Sequence, residues 1–168
     1  DAQQFEDVET GHSFMRVVFD AAGEDLEALR AALAPLAADY GMDWTLRDPK
    51  RRRKVMILAS QADHCLADLM YRWRRGELPM DVVAVVSNHP KETYASLDLE
   101  GVAFHHLPVS RDTKLEQEAQ IWRLIQDTGA ELVVLARYMQ VLSDGLAAKL
   151  EGRCINIHHS FPPGFTGA

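Results

Sequence analysis

The stretch "KVMILASQADHCLADLMYRWRRGELPMDVVAVVS", Lys54 to Ser87, holds two unbroken apolar runs separated by one helix-length segment. A strand with one wet face would alternate apolar and polar residues. Val55–Ala59 and Val82–Val86 do not alternate, so both of their faces are expected to be buried, as in a parallel sheet covered by helices. Between them Leu66, Leu69, Met70 and Trp73 recur at spacings of three and four, which predicts an amphipathic helix from Asp63 to Arg75. Asp63 is the expected N-cap.

The same rhythm continues towards the carboxyl end. A polar stretch, "NHPKETYASLDLEG", leads to a short strand in "VAFHHLP". A helix from about Asp112 to Thr128 is closed by Gly129, and "ELVVLA" follows as a strand. A short helix, Ser143 to Leu150, then precedes the strand "CINI". Strands alternating with helices predict an α/β fold with a doubly wound, mostly parallel sheet. Towards the amino end the pattern differs. "AQQFEDVETGHSFMRVVFD" reads as two strands around a turn at Thr10-Gly11. Leu26, Leu29, Leu33, Leu36 and Tyr40 mark a helix ending at Gly41, and "MDWTLRD" reads as a further short strand. The expected organisation is a small β-β-α-β unit over residues 1–48, a basic linker over 49–54, and a larger α/β domain over 55–168. The basic run Lys50-Arg51-Arg52-Arg53-Lys54 is read as a solvated linker in preference to a patch for anionic ligands.

Composition narrows the functional classes. The chain has 168 residues and a formal net charge of −7, which disfavours general nucleic-acid binding. No apolar run is long enough for a bilayer-spanning helix, so no membrane partner is expected. The polar start "DAQQ" has no signal-peptide pattern and no initiator Met, and the sequence is expected to begin inside a longer chain. Two cysteines, Cys65 and Cys154, lack disulfide or metal spacing and fit a reduced, cytoplasmic protein.

In doubly wound sheets ligands bind outside the carboxyl ends of the strands. Ser60, Asn88, His105-His106, the segment "ARYMQVL" and Asn156 all fall at such ends. In "GRCINIHHSFPPG" the amide of Asn156 and the imidazole of His158 are two positions apart and should share one side of an extended strand. An amide can donate to an oxygen that gains charge, and an imidazole can move a proton near neutrality. The pair suits attack on a carbonyl in acyl transfer, formyl transfer or hydrolysis. Adjacent histidines point to opposite faces and no chelating spacing is present, so no metal site is expected. The turn Ser60-Gln61-Ala62-Asp63 has no glycine and carries a carboxylate, which makes it a poor phosphate cradle.

These residues carry a family resemblance. "INIHHSFPPGFTGA" resembles the Asn-x-His strand of folate-dependent formyltransferases, and "LVVLARYMQVLS" resembles their folate-binding loop. "DHCLADLMYRW", "GELPMDVVAVVSNHP" and "FHHLPV" are similar to the formyltetrahydrofolate deformylase family. The resemblance implies a formyltransferase-like Rossmann variant preceded by a partial ACT-type regulatory domain. It implies hydrolysis of 10-formyltetrahydrofolate to formate and tetrahydrofolate, supplying formate for purine synthesis and balancing one-carbon pools. Asn156 and His158 match the catalytic pair; Leu135, Met139, Gln140, Val141 and Leu142 match the folate-binding positions. The formyl-folate is the substrate, with no separate cofactor, and the family's catalytic aspartate is expected beyond Ala168. An amino-acid effector and a homo-oligomer are also implied. Pro162 and Thr166 depart from the family's usual Leu and Lys. The alternatives are transfer of the formyl group to an amine, or an amino-acid sensor with a degenerate catalytic domain.

Overall fold

A computed structural model describes residues 1–9 and 11–157. The chain divides into two compact units, Asp1–Asp48 and Pro49–Ala168. In the first unit, strands β1 (Ala2–Asp7) and β2 (His12–Val17) pair antiparallel, with Phe5 opposite Phe14. Gly11 takes φ +68° in the turn, a conformation glycine adopts without steric penalty. Helix α1 (Leu26–Asp39) begins at Asp25, whose carboxylate accepts from the Ala28 N–H. It ends in paired bonds from Gly41 N–H to Ala38 O and from Met42 N–H to Ala37 O, the expected glycine stop. The strand expected in "MDWTLRD" does not form: residues 42–48 have no regular secondary structure and no ladder partner among the described residues. Alternating Met42, Trp44 and Leu46 give a strand pattern, but a strand exists only where a neighbour takes its backbone groups.

The second unit is built on five parallel strands. β3 (Arg53–Ala59), β4 (Met80–Ser87), β5 (Phe104–His106), β6 (Leu132–Ala136) and β7 (Cys154–Ile157) stand in the order β5-β4-β3-β6-β7. Helices α2 (His64–Arg74), α3 (Lys114–Thr128) and α4 (Asp144–Lys149) complete it. Alternate β3 residues serve opposite faces. Val55, Ile57 and Ala59 pack with Leu66 and Met70 of α2; Met56 and Leu58 pack with Ile121 and Ile125 of α3 and Leu146 of α4. Val55 to Ala59 are each at most 1% exposed, so this strand is the centre of the core. A register shift in β4 between the partners of Val55 and Met56 adds Val83 as an extra residue and re-phases the strand.

The basic run is not a free linker. Arg53 and Lys54 begin β3, Arg51 pairs with Glu131 at 2.7 Å, and Arg52 lies 3.8 Å from Asp81. Among the described residues no helix is long and apolar enough to cross a membrane.

Candidate active site

The strand order places the topological switch point between β3 and β6. From β3 the chain moves outward through β4 to β5, then returns to the other side of β3 for β6 and β7. The carboxyl ends of β3 and β6 are therefore the two lips of a crevice, the usual ligand site of such sheets. Ser60 follows β3 and is 2% exposed. Its Oγ donates to Asn88 Oδ1 at 2.8 Å and accepts from the Met139 N–H at 3.0 Å. The second bond runs from lip to lip.

A second set of buried bonds lies beneath it. Tyr94 donates its hydroxyl to Ser60 O at 2.7 Å, so in the 2.7 Å Ser87–Tyr94 contact Ser87 is the donor. Ser87 Oγ also accepts from the His89 N–H at 2.9 Å. Burial raises the Tyr94 phenol above its ordinary value, partly opposed by the Ser87 bond, so it remains a donor.

The segment after β6 is a braced platform. Arg137 turns the chain with φ +50°, and its N–H donates to Leu135 O and Ile157 O, tying the ends of β6 and β7 together. Tyr138 is buried and donates to Gln117 Oε1 at 3.3 Å, while Gln117 Nε2 donates to Leu107 O at 2.7 Å. Burial pushes the Tyr138 phenol up to about 12, the Gln117 bond opposing and the Glu118 charge adding to the rise. The Glu118 carboxylate accepts from the Ser143 N–H at 2.8 Å and from the Ser143 hydroxyl, and Ser143 in turn caps α4. The bracing roles of Tyr94, Gln117 and Glu118 were not read from the sequence. A signal existed for Gln117: it shares the buried stripe of Ile121 and Ile125, where a polar residue requires a partner.

Above this bracing, Met139 is 42% and Val141 81% exposed, with Gln140 and Leu142 half-buried. The N–H groups of Gln140, Val141 and Leu142 bond to no described residue. The Met139 N–H is already committed to Ser60. Leu135 is buried beside Tyr138 and underlies the platform. Asn156 stands in register with Leu135, exposed, its amide bonded to no described residue. His158 lies outside the described residues, as do Pro162 and Thr166.

Asp63 occupies the N-cap position of α2 but does not cap it. Its backbone is already helical, so its carboxylate is turned from the helix amides and instead accepts from Ser96 Oγ at 3.4 Å. Two shallow concavities, of about 500 Å³ beside Tyr94 and Leu99 and about 460 Å³ beside His106 and Gln117, do not include Asn156. Among the described residues no group of three or more His, Cys, Asp or Glu side chains could hold a metal ion. Cys65 and Cys154 are free thiols, and burial raises the Cys154 thiol.

The formyl transferase family model matches residues 53–168. Formyltetrahydrofolate deformylase of Corynebacterium sp. (strain P-1) is 51% identical over 168 residues, covering 99% of this chain and 58% of that relative. The crystal structure of formyltetrahydrofolate deformylase from Burkholderia mallei matches with a TM-score of 0.86 at 47% identity, covering 100% of this chain and 59% of that one. Phosphoribosylglycinamide formyltransferase from Brucella melitensis matches less fully, with a TM-score of 0.60 at 28% identity over 69% of this chain and 62% of its own. The chain thus spans less than two thirds of the relatives it matches.

Proposed function

Because the chain belongs to the formyl transferase family, we propose that the complete protein hydrolyses 10-formyltetrahydrofolate to formate and tetrahydrofolate. The observation that carries this reading is the glycine-free turn after β3. Its Ser60 hydroxyl is used within the protein and Asp63 stands at the start of α2, which leaves no cradle for the phosphate of an amine acceptor. Water is then the acceptor.

In this reading water attacks the formyl carbon while His158 takes its proton. The carbonyl electrons move onto oxygen, and the Asn156 amide donates to that oxyanion. The carbon–nitrogen bond then breaks, the folate nitrogen receives the proton from His158, and formate leaves. An aspartate beyond Ala168 orients the imidazole. The pterin lies on the platform of Leu135, Met139, Gln140, Val141 and Leu142, where apolar walls and the N–H groups of residues 140–142, bonded to no described residue, suit a flat, polar-edged ring. No metal or cofactor enters these steps. Residues 1–48 form part of an ACT-type domain that binds an amino-acid effector, and the protein works as a cytoplasmic homo-oligomer whose formate feeds purine synthesis and balances one-carbon pools.

The test is formate release by the complete protein from 10-formyltetrahydrofolate alone, with tetrahydrofolate formed in equal amount. Absence of formate under conditions where the substrate binds would overturn the reading.

A further inference from the structure

We infer that Ser60 is a positioning residue that straps the switch-point crevice shut and fixes the platform on which the formyl-folate binds. The inference rests on the hydrolase reading for the identity of the ligand, but its geometry stands independently. A serine hydroxyl has one hydrogen and two lone pairs. The hydrogen goes to Asn88 Oδ1 at 2.8 Å, so a lone pair is left facing the Met139 N–H at 3.0 Å. Asn88 thereby orients the hydroxyl as an acceptor. The Ser60 carbonyl is held separately by the Tyr94 hydroxyl at 2.7 Å, which fixes the serine backbone.

The strap is long-range and fully desolvated on the Ser60 side. Ser60 and Met139 are 79 residues apart, on opposite lips, and Ser60 is 2% exposed. The Met139 side chain and its neighbours Gln140 and Val141 remain at the surface. Ser143 holds the far end of the same segment through Glu118, and Tyr138 holds its underside through Gln117. Ser60 is thus the only one of these anchors that comes from the β3 side. Without it the lip after β6 is tethered only to β7, through Arg137, and to α3, and the N–H groups of residues 140–142 lose their fixed directions. The role is to set the binding surface before substrate arrives, so its loss should appear in affinity more than in turnover.

The experiment uses the complete protein with Ser60→Ala, Asn88→Leu and Asn88→Asp. Amide exchange at Met139 should quicken about tenfold or more in Ser60→Ala, the scale set by one lost hydrogen bond, with Val134 and Leu135 unchanged. KM for 10-formyltetrahydrofolate and the dissociation constant for tetrahydrofolate should rise about tenfold, with kcat within about threefold. Asn88→Leu should give the same split, more weakly. Asn88→Asp keeps an acceptor for the hydroxyl and should restore near-normal affinity. Unchanged Met139 exchange in Ser60→Ala, or unchanged folate affinity despite faster exchange, would overturn the inference. Should Ser60→Ala not fold, the contrast between the two Asn88 variants decides the matter by the same measures. Formate release by the unaltered protein tests the hydrolase reading separately, so failure of that reading is distinguishable from failure of the strap.

Discussion

The amide of Asn156 is exposed and bonds to no described residue, so its donors are available to an oxygen that gains charge. Asn156→Ala in the complete protein should therefore lower kcat by roughly 10²–10³-fold while tetrahydrofolate still binds. Steady-state kinetics with parallel titration checks this; wild-type turnover would remove Asn156 from the chemistry. Thermal stability should scarcely change, since the side chain packs against little. Tyr138 is the opposite case, buried and structural. Its phenol titrates near 12 in the folded protein, against an ordinary value of 10 when exposed. Between those values the unfolded chain releases the proton and the folded protein keeps it, so stability falls as pH rises. The contribution is complete below pH 10 and is lost as pH climbs through about 12, on the order of 2 kcal/mol in all. Urea midpoints measured between pH 9 and 12 should fall less steeply in Tyr138→Phe than in the wild type. A parallel decline in both would show that Tyr138 carries none of the alkaline transition.

Element by element, sequence legibility followed how local the deciding interaction is. The unbroken apolar runs of β3, β4 and β6 announced a doubly buried parallel sheet because burial on both faces leaves no place for polar residues. Gly129 announced the end of α3 because a left-handed residue is needed there, and it takes φ +65°. Gly129→Ala should cost about 1 kcal/mol through that backbone strain, read as a thermal midpoint lower by a few degrees. No change in midpoint would mean that the αL cap is dispensable. Residues 42–48 misled because alternation fits a strand but does not supply the neighbour that takes its backbone groups. Asp63 misled because capping depends on backbone angles that residue type does not fix. In the candidate site, the position of Asn156 near the end of β7 was legible from the apolar run that carries it. The Ser60–Asn88 and Ser60–Met139 bonds were not, since they join residues 28 and 79 apart that meet only through the strand order. His158 lies outside the described residues, so its pairing with Asn156 stays an expectation of the alternation.

For the molecule as a whole, the choice of formyl acceptor turns on what can enter the switch-point crevice. A phosphate-bearing amine needs backbone N–H groups turned towards it and a positive or neutral helix start. The turn after β3 offers Ser60, whose hydroxyl is bonded to Asn88 and, across the crevice, to Met139, and Asp63, whose carboxylate lies at the start of α2 without capping it. Steric closure and charge therefore act in the same direction. The complete protein should release formate from 10-formyltetrahydrofolate at a rate that glycinamide ribonucleotide does not raise. Product analysis with labelled formyl group should find the label in formate and none in the ribonucleotide. Asp63→Asn removes the repulsion but leaves Ser60 strapping the crevice, and Asp63→Gly adds freedom at one position only, so neither substitution should create transfer by itself. Formyl transfer to the ribonucleotide at a rate rivalling hydrolysis, in the wild type or in either Asp63 variant, would show that this crevice does admit the phosphate and that its closure does not select water.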